Sequence, residues 1–417
     1  MTKITDPSHQ AGTERSIGVG LLGPGKRLQS VLRRLVTGHP SIRVVAAYDQ
    51  NPAVYDALRK PYGNFRAHTQ AADLAQDPEV DWVLIGSWNN AHADHIAAAV
   101  EAGKHIFCEK PLAATLEDCL HIRKLLQGSR SRFVFGLVLR YAPLYDRIRT
   151  LIADGTVGAV LSLDFTETLH FDHGGYIMGG WRRSRAMAGP HILEKCCHDL
   201  DVANWLAGSL PVRVASFGAR RFFVPDRASR ATELGPDEHG TPAFESWRGR
   251  QEASPFSGDT DMLDAQVAIL EYANGVQASF HTNTASTLPE RRFHLVGERG
   301  TVRGDLLTGE LEYAPMQHMI LKYGGVRTAP PRFMQRLAHA GGHGGADGLM
   351  ADNLRRVMLE HAEPRAGIGE ALTSAIPAFA IDEAQRSGTI VDVRPIWQRA
   401  GIDPQSGSMI ESGKETS

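Results

Sequence analysis

Short apolar runs and amphipathic stretches alternate through the first third of the chain. Residues 16–22 (SIGVGLL) form an apolar run of strand length. Residues 27–37 place Leu28, Val31, Leu32 and Leu35 on one helical face, and residues 42–48 are a second apolar run. Strand, helix and strand in that order predict a right-handed parallel crossover. The alternation continues with a helix over 52–62, a strand over 82–85, a helix over 91–102 and a strand over 105–108. A helix over 116–127 and a strand over 133–137 complete it. Residues 16–140 are therefore expected to fold as an α/β domain with a doubly wound parallel sheet.

Beyond Tyr141 the period changes. A helix runs to Ile152, and longer alternating segments follow at 160–169, 212–224, 263–272 and 276–282, with Asn274-Gly275 supplying a two-residue hairpin signal between the last two. Residues 141–395 are expected to be an α+β domain, helices on a mainly antiparallel sheet. Residues 226–261, rich in Pro, Gly and charge, read as a long surface loop, a class that includes active-site covers. Residues 1–15 read as a disordered tail and 396–417 as a polar tail.

Composition narrows the function. The 417 residues suit two domains at about 100–200 residues each. A net charge of −2 gives no general attraction to nucleic acid or to anionic lipid, so a small uncharged partner is the better expectation. The four cysteines lack metal-finger spacing and are too few for a disulfide framework. No apolar run reaches the ~18 residues of a membrane helix and no signal peptide is evident, which points to the cytoplasm.

Gly23-Pro24-Gly25-Lys26 falls between the first strand and the first helix, where glycines let backbone N–H groups approach a pyrophosphate. The third glycine of the usual fingerprint is Leu28 here. Asp49 ends the second strand roughly 20 residues further on, where a carboxylate can accept from both ribose hydroxyls; capping the helix opened by Asn51-Pro52 is its alternative role. A 2′-phosphate beside Asp49 would meet like charge, so NAD is expected over NADP, with Lys26, Arg27 and Arg59 keeping NADP open.

Candidate chemistry lies at two further places. Glu109-Lys110-Pro111 follows the strand over 105–108, at the sheet's ligand-binding end, and Lys110 is a candidate base for a secondary alcohol. Glu194 and His198 stand four apart, so in a helix a carboxylate and an imidazole project together. Glu194, His198, Asp201 and His343 could in principle ligate a metal, but no HExxH spacing is present and none is expected.

The segment from Ala102 to Pro111, AGKHIFCEKP, resembles the signature of the glucose-fructose oxidoreductase / inositol dehydrogenase / MocA (Gfo/Idh/MocA) family. That resemblance implies a dinucleotide-binding Rossmann domain, an open-faced sheet used for dimers or tetramers, and a sugar or cyclitol substrate. It implies that Ser87-Trp88-Asn89-Asn90-Ala91-His92, matching TPNxxH with Ser for Thr and Trp for Pro, lies along the cofactor. Glu109 would hold the nicotinamide ribose, and Arg140-Tyr141 would lie beside the nicotinamide. The stretch from Glu194 to Asp201 is similar to DxGxHxxD, with His198 as the proton-transfer group and Glu194 in place of the Asp. Trp181, Arg182 and Arg183 are candidates for a polyol platform and clamp, and His343, in a glycine-rich stretch, for substrate contact. The expected activity is an NAD-dependent oxidoreductase. Its rivals are a redox-neutral glycoside hydrolase or lyase using NAD transiently, and a non-catalytic dinucleotide sensor.

Overall fold

The computed structural model describes residues 16–247, 251–317, 321–322, 325–326, 332–337 and 342–410. The expected tail over 1–15 lies outside them.

The first domain follows the periodicity. Strands β1 (Ile17–Leu22), β2 (Ile42–Tyr48), β3 (Arg66–Ala67), β4 (Trp82–Ile85), β5 (His105–Cys108) and β6 (Phe133–Phe135) form a parallel sheet in the order β3-β2-β1-β4-β5-β6. Helices α1 (Lys26–Val36), α2 (Val54–Tyr62), α3 (Ala71–Gln76), α4 (His92–Glu101) and α5 (Leu116–Leu126) make the crossovers. Strand order reverses between β1 and β4, and the crevice outside their carboxyl ends is where such sheets bind ligands. The sequence pattern passed over β3 and α3. They span two and six residues, too short to display a period.

The second domain begins with α6 (Pro143–Ala153) and β7 (Val160–His170). Short helices α7 (Phe171–Gly179), α8 (Arg185–Ala188) and α9 (His191–Glu194) lead to α10 (Cys197–Ala207). Then come β8 (Pro211–Ala219), α11 (Ser229–Leu234), β9 (Ala265–Tyr272), β10 (Gln277–Ser286), β11 (Glu290–Gly297), β12 (Gly300–Asp305) and β13 (Glu310–Pro315). A small ladder of β14 (Leu321–Lys322) with β15 (Gly325–Val326) precedes β16 (Phe333–Arg336), α12 (Ala346–Leu359), α13 (Ile368–Ser387), β17 (Val391–Asp392) and α14 (Arg394–Ala400). The main sheet has nine strands in the order β16-β13-β12-β11-β7-β10-β9-β8-β17, antiparallel except where β7 meets β10. The β9–β10 hairpin turns at Asn274-Gly275, where Gly275 takes a φ of +90°.

Two expectations need correction. The strand expected over 212–224 ends at Ala219, because the Asp264 carboxylate accepts the backbone N–H groups of Arg221, Phe222 and Phe223 and draws the chain off the sheet. The polar tail expected from residue 396 is packed as far as it is described. Trp397 in α14 is wholly buried and its indole donates to the Pro211 carbonyl at 2.8 Å, and Ile402 is buried beyond it. A few apolar residues at the right helical positions outweigh a polar average; residues 411–417 lie outside the described chain. The two halves also interlock. Helix α12 packs on α1, and α13 packs on α5, so the chain returns to the first domain after building the second sheet.

Candidate active site

Turn chemistry builds the first cavity, of about 640 Å³, at the reversal point of the parallel sheet. Gly23 sits at φ +62°, and a Cβ there would lie 2.4 Å from the Ser87 Cα. Gly25 precedes α1, whose first turn has no side-chain cap. A helix amino terminus presented this way suits a pyrophosphate. The missing third glycine has a substitute across the packing plane. Leu28 is wholly buried, and a Cβ on Gly86 would sit 2.6 Å from its Cβ, so Gly86 supplies the close helix–strand approach.

Of the expected cofactor residues, Gly23, Gly25, Lys26, Asp49, Ser87 and Trp88 line this cavity. Asp49 does not cap α2, whose N-cap is Ala53, and it stands at the cavity wall. Its Oδ1 accepts the Asn51 N–H at 2.8 Å, shaping the turn, while its side chain lines the cavity and burial raises its pKa. Ser87 is oriented by a 2.9 Å hydrogen bond with His95 Nδ1.

The second cavity, about 710 Å³, shares Arg27, Tyr176 and Arg182 with the first. Lys110, Glu194 and His198 all line it, together with His343. The helical premise for Glu194 and His198 is only half met: Glu194 closes α9, Lys195-Cys196 interrupts, and His198 lies in the first turn of α10. The two side chains nevertheless reach one space. The Lys110-Pro111 peptide is cis, and the Lys110 amine donates to the Glu194 carbonyl while standing 4.0 Å from its Oε1. Arg182 Nε donates to the same Oε1 at 2.7 Å.

Electrostatics sort these groups. Burial favours a protonated Glu194, but the charges of Lys110 and Arg182 outweigh it and hold the carboxyl well below the usual range. Burial, reinforced by Lys110 and Arg291, drives His198 well below an ordinary imidazole, so it is neutral at pH 7. Its Nδ1 is buried without a hydrogen-bond partner among the described residues, which leaves Nε2 to exchange a proton with the cavity. Behind it, Arg291 grips Asp199 through two hydrogen bonds of 2.7 and 2.6 Å, and both Arg291 and Lys195 pair with Glu167. Glu167, Cys196 and Asp199 have ligand atoms close enough for an ion, but those two cations already compensate the carboxylates.

Several expected residues lie elsewhere. Arg140 is locked to Asp201 through two hydrogen bonds of 2.8 Å, and neither lines either cavity, so Asp201 does not join Glu194 and His198. Tyr141 is buried and donates to Asn353 Oδ1 at 2.8 Å. Asn89 holds the Ala188 carbonyl, and His92 holds that of Pro111 from a fully interior position; both fix loops and line neither cavity. Pro24 gives its carbonyl to Gln29. Glu109 is buried against Arg27, whose Nε donates to it at 3.0 Å while Nη1 reaches Asp347 at 2.6 Å. Trp181 lines the dinucleotide cavity, 6.3 Å from Trp88 between ring centres, rather than the reacting one. Arg183 points to a separate recess and pairs with Glu252 and Asp259. Sequence reasoning missed Arg27 as a bridge between cavities, although it directly follows the glycine turn. It also missed Tyr176, His173 and Trp247, which no motif marks.

A dinucleotide cradle opening onto a cavity lined by an amine, a carboxylate and a neutral imidazole belongs to the class of two-domain, nucleotide-dependent oxidoreductases. The chain is a member of the Gfo/Idh/MocA family: residues 17–136 match the oxidoreductase family's NAD-binding Rossmann fold, and residues 145–303 match the GFO/IDH/MocA C-terminal domain. It is 33% identical over 195 residues to the inositol 2-dehydrogenase of Ralstonia nicotianae, covering 46% of this chain and 55% of that protein. It is 27% identical over 291 residues to the inositol 2-dehydrogenase of Rhizobium meliloti, covering 70% and 76%. The chain thus spans little more than half the length of the Ralstonia relative. Among solved structures, a levoglucosan dehydrogenase in complex with NADH and levoglucosan matches with a TM-score of 0.73 at 19% identity, over 91% of this chain and 99% of that one. The WlbA dehydrogenase of Bordetella pertussis, in complex with NADH and UDP-GlcNAcA, matches with a TM-score of 0.67 at 19% identity, over 91% and 99%. At these identities the structural likeness bears on the fold. No helix among the described residues is long and apolar enough to cross a membrane.

Proposed function

We propose that the protein is an NAD-dependent dehydrogenase interconverting a secondary alcohol and a ketone on a sugar, sugar derivative or cyclitol. The observation that carries this reading is the meeting of Lys110, Glu194 and His198 in a cavity that shares Arg27, Tyr176 and Arg182 with the dinucleotide cradle. The names of the relatives, inositol 2-dehydrogenase and levoglucosan dehydrogenase, support the substrate class.

The glycine turn and the α1 amino terminus would hold the pyrophosphate, Asp49 would accept from the adenosine ribose, and Ser87 and Trp88 would line the cofactor's path. When bound, NAD supplies the hydride acceptor. His198, neutral at pH 7, takes the hydroxyl proton, which is general-base work worth about 10²–10⁴ in rate. Lys110, between the Glu194 carbonyl and carboxylate, donates to the oxygen as negative charge develops there. Glu194 keeps Lys110 and Arg182 in place. Asp49 favours NAD over NADP, since a 2′-phosphate close by would cost roughly a few kcal/mol at an effective dielectric near 20. On the open face of the second sheet, Phe217, Val267 and Ile269 are exposed at 76%, 46% and 65%, which supports a homodimer or homotetramer.

The test is incubation with NAD⁺ and a panel of cyclitols and sugars, following nicotinamide absorbance and product. Stoichiometric NADH and ketone are expected. Turnover without NADH accumulation would instead assign the redox-neutral hydrolase or lyase chemistry.

A further inference from the structure

The segment between β8 and β9, which contains the surface loop expected over 226–261, is a built unit where it is described. Phe223, Phe244, Phe256 and Met262 from this segment form a core of their own with Met178 of α7 and Ala188 of α8. The Asp264 carboxylate anchors its start, and the Asp172 carboxylate accepts the Phe244 N–H at 2.7 Å and the Ser246 hydroxyl. Phe244 takes a left-handed φ of +69°, a conformation that a bulky residue keeps only where its surroundings impose it. Gly175 of α7 makes that possible, because a Cβ there would lie 2.2 Å from the Phe244 carbonyl oxygen.

The outcome of this anchoring appears three residues later. Trp247 stacks on His173, with ring centres 4.5 Å apart and planes within 11°. Both line the cavity that holds Lys110, Glu194 and His198. Burial, with Lys195 nearby, depresses the His173 imidazole to about 2, so the stacked pair carries no charge. His173 is half-buried beneath, while Trp247 remains 42% exposed. A flat, neutral, preorganised aromatic surface suits the apolar face of a pyranose ring. The cavity, at about 710 Å³, lies within the ~300–1,000 Å³ range that encloses ligands of drug size, larger than one sugar ring. Glu290 and Arg336 also line it and offer polar groups for ring hydroxyls.

We infer that the Trp247–His173 stack is the platform of a second sugar subsite, so that the substrate is a glycoside of at least two rings. The reacting ring lies against Lys110 and His198, and the neighbouring ring lies on Trp247. This rests on the sugar-dehydrogenase reading above.

The experiment measures kcat/KM of the full chain with NAD⁺ for disaccharides and for their component monosaccharides, in the parent and in Trp247→Ala and Trp247→Phe. NADH binding by fluorescence verifies that each variant is folded. A disaccharide should be the better substrate. Trp247→Ala should lower the disaccharide-to-monosaccharide ratio by about tenfold, and Trp247→Phe should restore most of it. A ratio unmoved by Trp247→Ala, or a parent enzyme that oxidises monosaccharides alone, overturns the second subsite and leaves the dehydrogenase reading standing. No turnover of any sugar by an enzyme that binds NADH overturns both.

Discussion

The two cavities are built by different means. The dinucleotide cradle is built around a left-handed glycine, an uncapped helix end and a strand end, its lining all within the first 95 residues apart from Tyr176, Trp181, Arg182 and Gln251. The second cavity is lined by side chains, many of them charged or imidazole, gathered from the turn after β5, from β7, α7, α9, α10 and β11, and from the glycine-rich turn before α12. A cradle of that kind can serve any dinucleotide enzyme. A cavity of side chains selects its ligand, and this one pairs its charges so closely that most of them cannot be removed singly.

The comparison breaks most visibly at His198. His198→Ala should lower kcat by about 10²–10⁴ while NADH affinity stays within about twofold. An equal loss in both would mean that the cavities are not separate in function. Next in size, Arg140→Met strands the buried Asp201 and should cost about 3–5 kcal/mol in urea unfolding, with little direct effect on the chemical step. Unchanged stability would contradict the locking role given to that pair. Gly23→Val forces a β-branched residue into φ +62° against Ser87 and should weaken NADH binding about 10- to 100-fold by fluorescence titration. Asp49→Ser should shift the NADP-to-NAD preference by about tenfold in kcat/KM; no shift would remove Asp49 from the ribose.

The pH profile sharpens the same contrast with the smallest effect. In the proposed mechanism the neutral form of His198 is the active one, and its pKa is lowered, so kcat/KM should hold from neutral pH down past 6.5 and fall only below it. An acid limb centred above 6.5 would show that His198 is not the buried base. NADH affinity should follow no such limb.

What the chain discloses follows the same division. Local features were readable: the β-α-β alternation, Gly23 and Gly25, Asp49 and the Lys110 segment each depend on neighbours within a turn or two. Leu28 looked like a defect in the glycine fingerprint because its complement, Gly86, lies just past the end of β4. Glu109 was assigned to a ribose, and its actual partner Arg27 is itself tied to Asp347, 320 residues away in sequence. Arg140, Tyr141 and Arg183 have the chemistry of ligand contacts but spend it on Asp201, Asn353 and the carboxylates of the recess. Only packing decides which of two adjacent arginines, Arg182 or Arg183, turns inward. Trp247 was hidden because a segment rich in glycine and proline looks slack until its phenylalanines are seen to share a core.

The central claim is that one carbon is presented to the nicotinamide between Lys110 and His198. A crystal structure with NADH and a bound sugar tests it directly. The account places the nicotinamide where the two cavities join, with one carbinol oxygen in hydrogen-bond reach of both Lys110 Nζ and His198 Nε2. A nicotinamide turned away from that junction, or a sugar whose oxygens contact neither group, would contradict it.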